Sequence, residues 1–356
     1  MNIESSSSEL DKEKIIYVFG HQAPDTDTIC SSIVASHLEK ELGNPYQVIP
    51  CRLGPLNKES KFAIEYFKTD EPTLITNASD ADEVILVDHN NFGQSAKDIN
   101  KAKICKIIDH HGLSGFSCPE PIYILTEPVG CCCTVLYKLF IDNNITIPKN
   151  LAGLMLSAII SDTVLLRSQT TTKRDIKAAN DLAKKAEVNL EEYGKLLLTK
   201  GTEISDISDH DLVFQDSKEF PVGGEKIQIS QINSYDTKEP LDRKEGIKNE
   251  MRAYMEKNKE IVLFVFDILD IYNMNSYAIV IGPRKKAIEN AYHVEVGEDG
   301  VVFLEKVASR KKQLYPDIAH HLLKIQKLEK QEKQKQALEI QTLGIQNLKI
   351  ENGDRQ

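Results

Sequence analysis

The 356-residue chain lacks the long apolar segments, the excess of basic residues and the paired cysteines that mark several common protein classes. No apolar run approaches the roughly 18 residues of a membrane-spanning helix, so we predict no membrane segment. The N-terminus is polar and has no apolar signal core, which predicts a cytoplasmic protein rather than a secreted one. The formal net charge of −10 argues against nucleic-acid binding but permits a small phosphate compound held by metal ions.

The seven cysteines contain no paired C-x-x-C arrangement, which argues against a structural zinc site. Three of them are consecutive, at positions 131–133, and neighbours in one segment make poor disulfide partners. Reduced thiols in a cytosolic protein fit this pattern. We interpret the three as small packing residues rather than as metal ligands.

The length exceeds that of one ordinary core, so two domains are predicted. Residues 13–200 alternate strand-like and helix-like segments, which predicts an α/β domain with a mostly parallel sheet covered by helices. A polar stretch at 201–210 indicates a linker, and residues 211–320 predict a smaller α+β domain. Residues 1–12 are predicted to be a disordered tail, and 321–356 a helical extension that either binds a partner or frays.

Apolar runs predict the strands, and amphipathic patterns predict the helices between them. The strands predicted in the first domain are 15–19, 46–50, 83–87 and 104–108. The helices predicted there are 58–67, 150–163 and one capped by Thr172, with Asp175 at its third position. The second domain is predicted to contain strands at 226–232, 260–266 and 277–281 and a helix at 241–257.

Histidine and aspartate side chains directly follow three of the predicted strands. Because the carboxyl ends of parallel strands meet at one edge of a sheet, we expect these side chains to converge there. Carboxylates together with imidazole form a ligand mixture that Mg²⁺, Mn²⁺ and Co²⁺ accept. The side chains predicted at this edge are His21, Asp25, Asp27, Asp88, Asp109, His110 and His111.

Each of these features has an ordinary structural interpretation when it is taken alone. The segment from Gly20 to Thr28 is also typical of an acidic helix cap with a surface histidine, and Asp88 is also typical of a loop cap. A basic run such as 309–313 is ordinarily a solvated face, and Lys218 alone would be an exposed surface residue. It is the joint pattern that favours a dinuclear metal site.

In combination, the motifs resemble those of the family II inorganic pyrophosphatases, in the DHH phosphoesterase superfamily. They occur in the family's order over about residues 14–320. The matching segments are Gly20-His21-x-x-Pro24-Asp25-Thr26-Asp27, Asp88-His89-Asn90, Asp109-His110-His111, Pro128-Val129-Gly130, Ser157-Ala158-Ile159-Ile160-Ser161-Asp162-Thr163 and Ser309-Arg310-Lys311-Lys312-Gln313.

The resemblance implies two divalent ions, with Mn²⁺ or Co²⁺ preferred and Mg²⁺ usable. Two such ions lower the pKa of a shared water molecule, so a hydroxide that bridges them can act as the nucleophile. Asp109 would either orient a ligand imidazole or support its loop. The implied ligands are His21 and Asp25 for one ion, Asp27 and His110 for the other, and Asp88 and Asp162 for both.

The resemblance further implies that pyrophosphate is the substrate and is hydrolysed to two phosphates in a cleft between the two domains. A homodimer is a possible assembly, since homodimers are common among the compact members of the family. The chain departs from its relatives at positions 131–133, where they tend to have small hydroxyl residues or alanine. The implied substrate contacts are His111, Lys218, Arg310 and Lys311.

Two other functions stay open from the sequence. One is a different enzyme of the same superfamily, an exopolyphosphatase or a nuclease of short oligonucleotides. The other is a degenerate scaffold that binds partners without turnover. The presence of all six implied ligands disfavours the scaffold, and the segments 88–90 and 309–313 together favour pyrophosphate.

Overall fold

The fold was taken from a computed structural model, which describes residues 14–353 and the side chains of residues 14–337. The predicted disordered tail at 1–12 lies outside the described residues. The chain divides into two compact units, one ending at Glu203 and the other beginning at Ile204. None of the helices in the described part combines the length and the apolar composition that crossing a lipid bilayer requires.

The first unit is built on a sheet of six parallel strands within the described residues. The strand order is β3-β2-β1-β4-β5-β6, so the order reverses between β1 and β4. The strands are β1 (Ile15–Phe19), β2 (Gln47–Arg52), β3 (Thr73–Leu74), β4 (Glu83–Val87), β5 (Ile104–Asp109) and β6 (Tyr123–Thr126).

An α-helix follows each of the strands β1, β2 and β6. The helix α1 packs against α3 and α4, while α2 packs against α4 and α6. The helices of this unit are α1 (Thr26–Glu41), α2 (Lys58–Phe67), α3 (Cys132–Asp142), α4 (Lys149–Thr163), α5 (Lys173–Ala186) and α6 (Leu190–Thr202).

The second unit contains a mixed five-stranded sheet in the order β11-β10-β9-β8-β7. The central pair β8 and β9 is parallel, and the remaining neighbours are antiparallel. Its strands are β7 (Ser217–Val222), β8 (Glu225–Ser234), β9 (Ile261–Asp270), β10 (Asn275–Ile281) and β11 (Val301–Leu304). Its helices are α7 (Asp209–Phe214), α8 (Lys238–Asp242), α9 (Lys244–Lys257), α10 (Lys286–Tyr292) and α11 (Tyr315–Gly353).

This architecture confirms the predicted fold class, a parallel α/β unit joined to a smaller α+β unit. The capping box of α5 is also confirmed, with Thr172 and Asp175 in their predicted roles. The helix predicted over 241–257 is instead two helices that meet at Arg243. The guanidinium of Arg243 donates to Asp209 and to the carbonyls of Ile204 and Ile207, and these contacts hold its backbone outside the helical conformation.

The helix α11 spans most of the predicted C-terminal extension. Leu322 is buried in the core of the second unit and Ile325 packs against that core, whereas Leu328 is exposed. Glu329 pairs with Arg284, and the side chains at 331–337 are exposed. The helix is therefore attached to its unit through its first turns. The side chains after Ala337 lie outside the described set.

Candidate metal centre

The centre lies at the carboxyl ends of β1 and β4, where the strand order of the first sheet reverses. Open α/β sheets bind ligands at this position because the connections from the two strands leave toward opposite faces. β1 delivers His21, and β4 delivers Asp88 directly after its last residue. β5 lies beside β4 and ends at Asp109, so His110 follows at the same edge.

The start of α1 separates two carboxylates that are close in sequence. Asp25 is the N-cap of α1 and accepts a hydrogen bond from the backbone N–H of Thr28 at 2.9 Å. Asp27 lies in the first helical turn and is fully buried. A carboxylate at either position is favoured by the helix dipole, which stabilises negative charge there.

Three side chains form a first group of donors that can hold one ion. His21 Nε2 lies 3.4 Å from Asp25 Oδ2 and 3.6 Å from Asp88 Oδ2. One donor atom from each residue lies within 4.8 Å of the other two. This is the set of a histidine and two carboxylates that hard and borderline divalent ions accept.

A second group consists of Asp27, His110 and Asp162, whose donor atoms also lie within 4.8 Å of one another. His110 Nε2 lies 3.8 Å from Asp27 Oδ2 and 3.7 Å from Asp162 Oδ2. The Nδ1 atom of His110 lies 3.1 Å from the carbonyl oxygen of Val129. That contact fixes the proton on Nδ1 and leaves the Nε2 lone pair for the carboxylate side, as metal-ligating histidines require.

Asp88 stands between the two groups and offers one oxygen to each. Its Oδ2 atom faces His21 and accepts a hydrogen bond from Thr28 Oγ1 at 2.7 Å. Its Oδ1 atom lies 3.2 Å from His110 Nε2, is buried and has no hydrogen-bond partner among the described residues. The backbone of Asp88 has a φ of 56°, a conformation that is uncommon outside glycine and clusters at functional sites.

Asp109 organises the loop that carries the two histidines. Its Oδ1 atom accepts hydrogen bonds from the backbone N–H groups of His110 and His111 and lies 2.9 Å from His111 Nδ1. Its Oδ2 atom accepts from Asn90 Nδ2 at 2.6 Å. Asp109 therefore supports the loop and orients His111, while Val129 holds the imidazole of His110. This settles the alternative that the sequence left open.

The electrostatics of the cluster favour added positive charge. Burial and the neighbouring Asp27 charge raise the pKa of Asp88, and burial with the same charge raises the pKa of Asp162 well above its usual range. Burial lowers the pKa of His110, but the contact with Asp88 and the charge of Asp27 outweigh it and raise the pKa to about 9. Crowded carboxylates of this kind bind cations, so the donor set fits two divalent ions.

The cluster opens into a cavity of about 700 Å³ within the first unit. His21, Asp25, Asp88, His110 and Asp162 line it, while Asp27 lies buried beneath. His111 also lines the cavity and is exposed to it. The first unit thus brings together all six side chains predicted as ligands, as well as the predicted substrate contact His111.

The backbone at the start of α3 supports Asp27 in a way that sequence reasoning missed. The N–H group of Cys133 donates to Asp27 Oδ1 at 3.1 Å, and that of Cys132 donates to Asp27 Oδ2. Asp27 therefore caps a helix other than its own and faces its positive end. α3 begins at Cys132, and its N-cap Cys131 makes no side-chain capping bond that the sequence could have indicated.

Glu59, on α2, is a second residue that sequence reasoning missed. It accepts a hydrogen bond from Thr26 Oγ1 at 2.6 Å and is also bonded to the side chain of Ser161. Thr26 lies between the two carboxylates of α1, and Ser161 precedes Asp162. Glu59 thus ties together two ligand-bearing segments. Its sequence position in an ordinary amphipathic helix gave no sign of this.

In the second unit, Arg310 begins a single π-helical turn, Arg310–Leu314, a feature often found at functional sites. Arg310 is 8% exposed as a residue, and its guanidinium donates to the carbonyl of Asp216 at 2.7 Å and to Asp216 Oδ1 at 2.8 Å. Lys218 pairs across the sheet with Ile229, whose carbonyl oxygen lies 3.4 Å from Arg310 Nη1. Lys218 and Lys311 are both exposed.

Comparison with known proteins matches both units. The chain matches the DHH family, N-terminal domain, over residues 15–159 and the DHHA2 domain over residues 195–320. It is 45% identical over 300 residues to a probable manganese-dependent inorganic pyrophosphatase of Brevibacillus brevis, covering 84% of this chain and 96% of the relative. A relative of the same description from Oceanobacillus iheyensis is 43% identical over 297 residues, covering 83% of this chain and 96% of that protein.

The chain is also similar to a solved structure, the crystal structure of a putative family II inorganic pyrophosphatase from Methanococcus jannaschii. The TM-score is 0.56 and the sequence identity is 38%. The similarity covers 86% of this chain and 99% of the other. The matches therefore extend over both units and almost the whole length of the similar proteins.

Proposed function

We propose, from the premise that this chain belongs to the DHH family and within it to the manganese-dependent inorganic pyrophosphatases, that it hydrolyses pyrophosphate to two phosphates at a dinuclear metal centre. The protein is a hydrolase, and its cofactor is a divalent metal with manganese preferred. The observation that carries the dinuclear centre is the pair of three-donor groups that meet at Asp88.

The six ligands have distinct roles in this proposal. His21 and Asp25 would hold one ion, Asp27 and His110 would hold the other, and Asp88 and Asp162 would serve both. The two oxygens of Asp88 already face different histidines, which supports its shared role. When bound, two such ions lower the pKa of a water molecule between them and stabilise the charge of the phosphoryl oxygens.

The side chains of the first unit prepare this centre before substrate arrives. Val129 keeps the Nε2 lone pair of His110 available, and Thr28 orients the shared carboxylate of Asp88. His111 is held through Nδ1 by Asp109, so its remaining ring nitrogen can contact a phosphate oxygen. The acidic lining repels a free polyanion, which makes binding of pyrophosphate dependent on the metal ions.

Three cationic side chains of the second unit bind the phosphate that leaves. Arg310 offers a guanidinium that matches phosphate geometry, and its contact with Asp216 fixes the position of that group in advance. Lys311 and Lys218 contribute compact charges on flexible stems. The support for this proposal is the resemblance of the segment 309–313 to the family and the pairing of Lys218 with Ile229, whose carbonyl oxygen lies 3.4 Å from Arg310 Nη1.

An assay of phosphate release by the purified protein, stripped of metal and then supplied with Mn²⁺, tests the function. We expect phosphate release from pyrophosphate that depends on Mn²⁺, with much slower release from long polyphosphate and none from a dinucleotide. Faster release from polyphosphate would identify an exopolyphosphatase, and cleavage of the dinucleotide a nuclease. Absence of metal-dependent hydrolysis on all three substrates would identify the degenerate scaffold and overturn the proposal.

The remaining features rest on the sequence and the family. We propose a cytoplasmic enzyme that does not bind nucleic acid, in line with its acidic net charge of −10. A homodimer is the proposed assembly. The molecular mass of the purified chain in solution, measured by sedimentation, tests whether it is a dimer.

A further inference from the structure

The start of α3 carries a cluster of buried thiols directly beside Asp27, and the proposed reaction uses none of them. Cys131 and Cys133 are fully buried, and their thiols contact each other. One donor atom from each of Asp27, Cys131 and Cys133 lies within 4.8 Å of the other two. Ser31 Oγ, which donates to Asp27 Oδ1, lies 3.3 Å from Cys133 Sγ and adds a fourth polar atom.

We propose that Asp27, Cys131 and Cys133 form a binding site for a thiophilic divalent cation such as Zn²⁺ or Cd²⁺. Thiolate sulfurs are donors that such ions select, whereas Mn²⁺ and Mg²⁺ prefer oxygen ligands. A tetrahedral zinc ion with Zn–S bonds of about 2.3 Å separates its donors by about 3.5–4 Å. The three donors lie within 4.8 Å of one another, so a small shift of the side chains brings them to this spacing.

Binding at this site exchanges protons for the metal ion. The cation forms bonds to the sulfurs of Cys131 and Cys133 and to one oxygen of Asp27, and the two thiol protons leave to solvent. No oxidation takes place, so charge balances through the two protons released. The residue between the two cysteines does not take part, because the thiol of Cys132 donates to the carbonyl of Ile108 at 3.2 Å.

The site shares Asp27 with the proposed hydrolytic centre. A cation held by the two thiolates draws this carboxylate away from the ion next to His110. We therefore expect Zn²⁺ or Cd²⁺ to compete with Mn²⁺ and to inhibit hydrolysis. This consequence rests on the proposed function, whereas the thiolate site itself does not.

Titration of the metal-stripped full chain with Cd²⁺ tests the site without measuring activity. Cadmium bound to thiolates has an ultraviolet charge-transfer absorption that cadmium on carboxylates and histidines lacks. We expect this absorption to saturate at one equivalent in the native chain and in Cys132→Ser. In Cys131→Ser and Cys133→Ser we expect at least about tenfold weaker Cd²⁺ binding, since each loses one sulfur donor.

Cys132→Ser is the matched control because it changes an adjacent buried thiol outside the cluster. Absence of the absorption in the native chain, its survival in Cys133→Ser, or equal loss in Cys132→Ser would each overturn the proposal. Circular dichroism of each variant separates loss of the site from loss of the fold. Addition of Mn²⁺ should weaken Cd²⁺ binding through Asp27, and unchanged Cd²⁺ affinity would contradict the shared carboxylate.

Discussion

The two units each contain a polar cluster beside a buried core, but they compensate charge in opposite ways. In the first unit, carboxylates and imidazoles surround a cavity, and among the described residues that line it none is lysine or arginine. In the second unit, Arg310 pairs with Asp216 and with backbone carbonyls. The acidic cluster of the first unit therefore depends on external cations for its charge balance. The charge of Arg310 in the second unit is balanced by Asp216 within the chain.

This difference explains how a protein with an excess of acidic residues can act on a polyanion. The acidic cluster is useful only when metal ions convert it into a positive surface, so metal binding and substrate binding are coupled. The guanidinium of Arg310 keeps its position with or without metal ions, because it is already paired with Asp216.

The largest effect is expected from removing the charge of Asp88. In Asp88→Asn the shape is kept, but the carboxylate that faces both donor groups is lost. We expect kcat for pyrophosphate hydrolysis at saturating Mn²⁺ to fall by at least about 10³-fold, because phosphoryl-oxygen stabilisation depends on both ions. Phosphate release under steady-state conditions measures this kcat.

Asp98→Asn is the control for that variant, since Asp98 caps Ala78 and Ser79 outside the cavity. Its rate should stay within about twofold of the native rate, as is usual for substitutions away from an active site. A fall of less than tenfold in Asp88→Asn would show that the shared carboxylate is dispensable.

The next largest effect is expected at Arg310 in the second unit. We expect Arg310→Ala to lower kcat/KM by about 10²–10³-fold, mainly through a higher KM, because a bidentate phosphate contact is lost. Arg310→Lys should recover only part of the loss, since lysine keeps the charge but not the fork. Mn²⁺ binding, measured by calorimetry, should stay unchanged in both variants.

Lys312→Ala provides the matched control for Arg310, because Lys312 is an exposed cation two residues away. We expect no more than about a twofold change in kcat/KM for it, since an isolated exposed charge contributes little. Equal losses in the Arg310 and Lys312 variants would indicate a general effect of charge rather than a specific contact.

Metal binding should stabilise the first unit selectively. At Mn²⁺ concentrations of about 100 times Kd, each ion bound only by the folded state adds about 2.7 kcal/mol. With two ions bound, amide hydrogen exchange in β1 and β4 should then slow by up to about 10⁴-fold. We expect little change in β8 and β9, and Asp88→Asn should reduce the effect in β1 and β4. Equal protection of both sheets would contradict the contrast between the clusters.

Much of the fold followed from local patterns in the sequence. The bounds of β1, α2 and β4 were predicted correctly, because each is a continuous apolar run or a clear amphipathic repeat. The edge strand β6 was missed although Tyr123, Ile124 and Leu125 form a short apolar run, and its residues are exposed or half-buried. The helix α3 was missed because three cysteines at its start gave no recognisable cap.

The convergence of the site residues followed from the sequence for a topological reason, namely that parallel strands deliver their carboxyl ends to one edge. Their ligand roles stay predictions that the variants above test. The supporting contacts did not follow from the sequence. Asp27 meets backbone amides more than one hundred positions away, and the bond of Glu59 to Thr26 spans 33 positions. Such contacts depend on how helices pack, which no local pattern encodes.

Asp267 in β9 is another residue whose environment only the fold reveals. Its side chain is 1% exposed and accepts a hydrogen bond from Gln231 Nε2 at 2.8 Å. Its other oxygen is buried and has no hydrogen-bond partner among the described residues. Burial raises the pKa of Asp267 from 3.8 to about 6, although Ser276, Gln231 and the Arg310 charge oppose the rise.

The smallest effect is therefore a pH-dependent stability difference between the native chain and Asp267→Asn. Because the folded pKa exceeds the unfolded one, the contribution of Asp267 is fully present below pH 3.8 and is lost as the pH rises through 6. Relative to Asp267→Asn, the native chain should lose about 2–3 kcal/mol of stability between pH 4 and pH 7. Urea unfolding of the second unit at several pH values measures this difference.

Asp98→Asn serves as a control of opposite sign in the first unit. Burial raises the pKa of Asp98, but the hydrogen bonds from Ser79 and Ala78 together outweigh this and lower the pKa to about 2. Its contribution is therefore present above pH 3.8 and is lost as the pH falls toward 2. If the two variants shifted stability in the same direction with pH, the difference would reflect net charge alone. Opposite slopes would show that each unit sets the charge state of its aspartates through its own local contacts.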